Sequence, residues 1–159
     1  MRSIASIILF LFVQAMACSQ SCLPNGIVFS TQAQIDNFQT NFPGCTVIEG
    51  HVLIMSAENN AITNLSGLSI LTSIGEYLWI KSNGDLNSLE GLENITSIGG
   101  YLHIDNNNDL TSLAGLDNLT SIGGYLWINY NDELTSLSGL DNLTSIGNKV
   151  FNKKPVIIR

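Results

Sequence analysis

Three consecutive stretches of the chain repeat almost without change every 24 residues. They begin at Ser73, Ser97 and Ser121. A looser unit precedes them at 48–72, with two extra residues between Met55 and Ala61, and a fifth begins at Ser145 and breaks at Asn152. A gapless period of this length predicts a repeat protein, in which one unit cannot bury its own apolar face and neighbouring units stack.

The apolar positions within a unit indicate strands and corners. The segment 101–104, Tyr-Leu-His-Ile, alternates with period two, as a strand does. Leucines then recur at spacings of three, whereas an amphipathic helix mixes spacings of three and four; in one unit these are Leu110, Leu113, Leu116 and Leu119. Gly99 and Gly100 stand just before the strand, where a tight bend favours a residue without Cβ.

These patterns predict an all-β fold, a single-stranded β-helix or solenoid with coils of about 24 residues over 48–152. Successive coils stack about 4.8 Å apart, so equivalent residues form columns. The predicted inward columns are Leu78/Leu102/Leu126, Ile80/Ile104/Ile128, Leu86/Leu110/Leu134, Leu89/Leu113/Leu137 and Leu92/Leu116/Leu140.

The segment 22–47 is predicted to cap the N-terminal end of the solenoid. Residues 31–34, Thr-Gln-Ala-Gln, form a capping box that begins a helix, and Ile35, Phe38 and Phe42 give that helix one apolar face. Cys22 and Cys45 either form a disulfide across the cap, worth about 3 kcal/mol, or are two buried thiols. Residues 153–159 are expected to be an irregular or truncated tail.

Residues 1–17 resemble a secretory signal peptide. Arg2 is followed by an apolar run over 4–13 and by Ala-Met-Ala at 15–17, the small-residue pattern of a cleavage site. We therefore expect a secreted or cell-surface protein whose mature chain begins between Cys18 and Cys22. Cys18 itself is lost with the signal peptide, carries a lipid anchor or stays free.

The charge balance excludes two classes of partner. The formal net charge is −7, with 6 basic residues in the chain, so neither nucleic acid nor an anionic membrane surface is expected to bind. No second apolar stretch is long enough for a membrane span.

Two segments resemble the receptor L domain. One is 41–54, which contains Phe-Pro-Gly-Cys and Gly-x-Val-x-Ile, and the other is 100–104, which contains the strand motif Gly-x-Leu-x-Ile. This is the leucine-rich β-helix of insulin- and EGF-receptor ectodomains, and similar repeats occur in fungal cell-wall and exported bacterial surface proteins. The resemblance implies a right-handed β-helix with a cap disulfide, used for ligand recognition or surface structure, and no catalytic residues. The chain contains no cysteine-rich module or kinase, so signalling is not expected.

The outward side of the longer strands is the candidate binding surface, because residues flanking Leu102 and Ile104 must point away from the core. Its aromatic residues are Tyr77, Trp79, Tyr101, His103, Tyr125 and Trp127, beside a polar column of Lys81, Asp105 and Asn129. An exposed aromatic patch is typical of a site for an extracellular protein or glycan. In the alternative interpretation the rings only stack and stiffen a structural surface protein.

Other repeated polar positions favour a structural interpretation. The acidic columns Asp85/Asp109/Glu133 and Glu93/Asp117/Asp141 are expected to be solvated turn residues rather than a calcium site, and Asn83/Asn107/Asn131 an amide ladder. The Asn-x-Ser/Thr sequons at Asn64, Asn94, Asn118 and Asn142 follow the repeat. With His51 and His103 as the two histidines, we expect no enzyme activity, no metal and no cofactor.

Overall fold

Two parallel β-sheets run along the molecule, each with six strands. The computed structural model describes residues 20–57 and 61–147 and the backbone of 150–152. The predicted signal peptide 1–17, Cys18 and the tail 153–159 lie outside the described residues.

Each coil contributes one strand to each sheet, and we name the sheets the narrow sheet and the broad sheet. The narrow sheet contains β1 (Gln20–Cys22), β3 (Cys45–Ile48), β5 (Ser73–Ile74), β7 (Ser97–Ile98), β9 (Ser121–Ile122) and β11 (Ser145–Ile146). The broad sheet contains β2 (Ile27–Phe29), β4 (Val52–Ile54), β6 (Leu78–Lys81), β8 (Leu102–Asp105), β10 (Leu126–Asn129) and β12 (Val150–Asn152).

The strand register confirms the predicted solenoid. Leu78 pairs with Leu102 and Leu102 with Leu126, so neighbouring coils are offset by one repeat. All five predicted inward columns pack into one hydrophobic core, and their members from Leu78 to Ile128 are at most 3% exposed. The parallel pairing also includes β1 and β2, which precede the predicted solenoid. β2 lies within the segment predicted as the cap, and β1 ends where that segment begins.

The narrow sheet was not predicted. Its repeated strands are only two residues long, a Ser-Ile pair, which is too short for an alternating pattern to be recognised in the sequence. Ile74, Ile98 and Ile122 are nevertheless 1% exposed each and form a further inward column. The repetition of Ser-Ile-Gly at the same place in every unit is the sequence feature from which it could have been predicted.

The glycine that follows each Ser-Ile pair is required by the contact between coils. A Cβ added to Gly99 would overlap the carbonyl oxygen of Gly75 and lie 2.9 Å from its carbonyl carbon. Gly123 stands in the same relation to Gly99. The predicted bend is present, but the close approach of successive backbones, rather than the bend alone, excludes a side chain here.

The predicted asparagine ladder is confirmed and is buried. Asn83 and Asn107 are 0% exposed and Asn131 is 4% exposed. The amide Nδ2 of Asn83 donates to Oδ1 of Asn107 (3.0 Å), and Nδ2 of Asn107 donates to Oδ1 of Asn131 (3.2 Å). Each Oδ1 also accepts the backbone N–H of the asparagine before it, at 3.1 and 2.9 Å. The ladder therefore satisfies the buried polar groups at the corner after each broad-sheet strand.

The cap contains two short helices, whereas one continuous helix was expected. The helix α1 (Gln32–Asp36) begins with the predicted capping box at Thr31 and Gln34, and α2 (Phe38–Asn41) follows directly. Asn37 separates them with φ −92° and ψ 6°, while its side-chain amide donates to the Ala33 carbonyl (2.8 Å). This local bond competes with helix continuation. Both helices pack on the 3₁₀ helix Ser66–Leu68 of the next coil.

The disulfide between Cys22 and Cys45 is present, with 5.7 Å between the two Cα atoms. It joins β1 to β3 and encloses the two cap helices within its loop. The alternative of two free thiols is therefore wrong.

Candidate functional site: the aromatic face of the broad sheet

Strand alternation places all six predicted site residues on the outer face of the broad sheet. In β8, Leu102 and Ile104 are buried while His103 and Asp105 between them are partly exposed. The same alternation in β6 and β10 brings Trp79 and Trp127 into register with His103. The tyrosines Tyr77, Tyr101 and Tyr125 each stand one residue before a strand.

The rings form two stacks that run along the solenoid axis. In the first, Tyr77 stacks on His51 (4.8 Å between ring centroids, 10° between planes) and on Tyr101 (4.6 Å, 3°). In the second, His103 lies between Trp79 (5.0 Å, 6°) and Trp127 (5.1 Å, 24°). The spacing equals that of the coils, so the backbone sets the stacking distance.

The stacking covers the ring faces of Tyr77, His103 and Trp79. Both faces of Tyr77 and both faces of His103 are occupied by neighbouring rings. His103 stacks against the ring of Trp79. The Lys81 ammonium also lies 4.4 Å from the centroid of the Trp79 ring, which is a cation–π contact. These three rings therefore turn their edges, and not their faces, towards solvent, and within the described part of the chain the indole N–H of Trp79 is buried without a hydrogen-bond partner.

A cleft of about 340 Å³ lies between the two stacks. Five of the six predicted site residues line it: Trp79, Tyr101, His103, Tyr125 and Trp127. Tyr77 is on the same face but does not line the cleft. Tyr125 and Trp127 are the most exposed of the five, at 45% and 38%, so the cleft is most open at their end. We call it the aromatic cleft.

A chain of hydrogen bonds connects the second stack to the polar column beside it. Nε2 of His103 lies 3.2 Å from Oδ1 of Asn129. Nδ2 of the same amide donates to Oδ1 of Asp105 at 3.0 Å. Asn129 is 6% exposed. The sequence placed these residues in the outward columns, but nothing in it indicated that Asn129 would connect the other two.

Burial between the two indole rings lowers the pKa of His103 from its ordinary value of 6.5. The hydrogen bond to Asn129 and the charge of Asp105 oppose this shift, and Lys81 adds to it. Because the unfolded chain then binds a proton more readily than the folded chain, His103 stabilises the fold above pH 6.5 and ceases to do so as pH falls below it.

Replacing His103 with tryptophan, the residue of the flanking coils, should therefore remove part of the acid sensitivity. Urea unfolding at pH 7 and at pH 5.5 measures this. We expect wild type to lose more stability than His103→Trp over that interval. Equal losses in the two proteins would contradict the assignment.

The side chains of other polar columns form hydrogen bonds with backbone groups of the solenoid. Glu93, Asp117 and Asp141 each accept the backbone N–H of the glycine two residues earlier, at 2.8, 2.9 and 3.4 Å. The sequon residues Asn94 and Asn118 each donate from Nδ2 to a carbonyl of the preceding coil, both at 2.8 Å. Within 20–57 and 61–147 no three His, Cys, Asp or Glu side chains approach closely enough to hold a metal.

A second groove of about 340 Å³ crosses the narrow sheet, where serine hydroxyls and glycine backbone line it. Ser97, Gly99, Ser121 and Gly123 are among its residues. It contains no aromatic residue and is a second surface on which a ligand could bind.

The family comparison agrees with this architecture. The receptor L domain model matches residues 44–110 and again residues 96–158, which together span most of the chain. The chain belongs to the receptor L domain family. No curated protein and no solved structure gave a match. Receptor L domains are extracellular, ligand-binding, non-enzymatic folds, and the disulfide is consistent with an oxidising compartment. No helix in the described part of this receptor L domain chain could cross a membrane.

Proposed function

We propose that the protein is an exported recognition module that binds a protein ligand through the aromatic cleft. The observation that carries this proposal is the cleft itself, an apolar depression lined by five aromatic side chains on the face of a ligand-binding fold. Aromatic residues in partly desolvated pockets supply much of the binding energy at protein interfaces.

The orientation of the rings favours a protein over a glycan. A sugar ring is recognised by aromatic side chains chiefly through their faces. Within the cleft, Trp79 and Trp127 cover the two faces of His103, and His103 and Lys81 lie against the ring of Trp79. Ring edges instead accommodate apolar side chains and approach other aromatic rings edge to face. Lys81 and Asp105, partly exposed beside the second stack, supply polar groups of the kind that surround the apolar centre of such interfaces.

Export supports the same proposal. The signal peptide predicted over 1–17 would direct the chain out of the cytosol. The disulfide between Cys22 and Cys45 is stable in such a compartment. An exposed aromatic cleft on an exported protein faces extracellular molecules.

A structural surface protein without a ligand is the second candidate. The stacks favour it, because ring pairs 4.6–5.1 Å apart stabilise adjoining coils whether or not anything binds. The two candidates differ in what the exposed rings at the open end of the cleft do: in one they contact a ligand, and in the other they only support the fold.

Screening the secreted protein against a panel of extracellular proteins and a glycan array separates these functions. We expect a protein ligand, and Trp127→Ala should weaken its binding about 10- to 100-fold. Val28→Ala is the matched control, since Val28 occupies the same outward column in β2, is 45% exposed and lies outside the cleft. Its affinity should equal that of wild type.

Two results would contradict the proposal. Binding confined to glycans, and lost in Trp127→Ala, would make the protein a lectin-like module. Unchanged affinity in Trp127→Ala together with a lower melting temperature would assign the rings to stability alone.

A further inference from the structure

The hydrogen-bond chain through Asn129 fixes which nitrogen of His103 carries a proton. A carboxylate can only accept hydrogen bonds, so the group of Asn129 that faces Asp105 at 3.0 Å must be its amide nitrogen. The carbonyl oxygen of Asn129 then faces Nε2 of His103 at 3.2 Å and can only accept. Nε2 is therefore the protonated nitrogen of the neutral ring.

The other ring nitrogen, Nδ1, is consequently an acceptor. Among residues 20–57 and 61–147, no donor is hydrogen-bonded to Nδ1 of His103, and the atom is not among the buried polar atoms without a partner. His103 lines the aromatic cleft. The indoles of Trp79 and Trp127 can only donate, and the hydroxyls of Tyr101 and Tyr125 can donate or accept, so Nδ1 is the one ring nitrogen lining the cleft that accepts a hydrogen bond.

We propose that the ligand donates a hydrogen bond to Nδ1 of His103, so that the aromatic cleft selects an apolar group that carries an N–H or O–H donor, such as an indole or phenol ring. The inference rests on the proposed function of the cleft and states which chemistry that cleft prefers. In its column His103 lies between two tryptophans, Trp79 and Trp127. Stacking alone would be served equally well by a third indole, which has no acceptor.

Acid should reverse this preference, because a proton on Nδ1 changes the acceptor into a donor. The titratable groups on the outer face of the broad sheet around His103 are Tyr77 and Lys81 on the preceding coil, Tyr101 and Asp105 on its own coil, and Tyr125 on the following coil. The carboxylate of Asp105 is already bonded through Asn129, and Lys81 is positioned over Trp79. Neither prevents the change in the role of Nδ1.

A pair of probes with the same shape tests the proposal. Indole carries an N–H donor and benzofuran does not, and their dissociation constants can be measured from NMR shifts of the cleft residues at neutral pH. We expect indole to bind about three- to tenfold more tightly than benzofuran, as one neutral hydrogen bond permits. In His103→Phe, which keeps a stacked ring without an acceptor, the two probes should bind equally.

Asn129→Leu tests the positioning role of the amide. This variant should keep the affinity for benzofuran and reduce the advantage of indole, because the tautomer is no longer fixed. The ¹⁵N shifts of His103 should change from a protonated Nε2 to a mixture of the two tautomers.

Equal binding of indole and benzofuran to wild type, or a protonated Nδ1 in its ¹⁵N spectrum at neutral pH, overturns the inference and leaves the proposed function standing. Failure of both probes to bind overturns the inference as well. Failure of the proposed function has a different signature, namely unchanged affinity for the protein ligand in Trp127→Ala.

Discussion

Replacing Asn107 with alanine is expected to lower the free energy of unfolding by about 4 kcal/mol, since several buried polar groups lose their partners at once. Oδ1 of Asn107 accepts the backbone N–H and the side-chain amide of Asn83. Its own Nδ2 donates to the Ile80 carbonyl at 3.0 Å and to Asn131 at 3.2 Å. Alanine leaves these groups without a partner in a site that is 0% exposed. Urea unfolding of the purified protein measures the change.

Asn108→Ala is the control for this prediction. Asn108 is the next residue, is exposed, and should tolerate alanine to within about 0.5 kcal/mol. A double variant, Asn83→Ala with Asn107→Ala, should cost less than the sum of the two single changes, since the two side chains share a bond. Additive losses, or an Asn107→Ala protein as stable as wild type, would show that the ladder does not hold the coils together.

The second large effect is expected for Gly99→Ala, at about 3 kcal/mol of destabilisation. The added methyl group would overlap the Gly75 carbonyl oxygen on the neighbouring coil. The methyl group is fixed to one backbone and the carbonyl oxygen belongs to the other. Neither can rotate away as the end of a long side chain would, so the two backbones must separate. Separation also weakens the parallel pairing of β5 with β7.

Gly84→Ala provides a matched glycine control. A Cβ on Gly84 meets nothing within 4 Å, and alanine reduces the conformational freedom of the unfolded chain. Its stability should equal or slightly exceed that of wild type, by up to about 1 kcal/mol. If the two alanine variants unfold at the same urea concentration, the close contact between coils is not what requires Gly99.

The features that could be predicted from the sequence are those that recur in every coil. Leu102 and Ile104 alternate with exposed residues, and the same pattern returns one repeat later at Leu126 and Ile128. Both the inward columns and the outward position of the aromatic residues follow from that alternation, because a strand has period two. The Asn83/Asn107/Asn131 ladder was predicted for the same reason.

Features that depend on contacts between coils could not be predicted in the same way. The Ser97–Ile98 strand is too short to show a period, and the break at Asn37 arises from one side-chain bond to Ala33. The sequence placed six rings on one face but did not show that the faces of Tyr77 and His103 are covered, because that follows from their stacking with neighbouring rings. The role of Asn129 depends on two hydrogen bonds between coils.

Binding at the aromatic cleft is tested most directly by the indole signals of the protein. The chain contains two tryptophans, so a ¹H–¹⁵N spectrum resolves one indole N–H for Trp79 and one for Trp127, and both residues line the cleft. On addition of the protein ligand found in the panel, we predict that both indole signals shift while the amides of Ser97, Gly99 and Ser121 in the narrow-sheet groove stay in place. Unshifted indole signals together with shifted narrow-sheet amides would contradict the assignment of the aromatic cleft as the binding site.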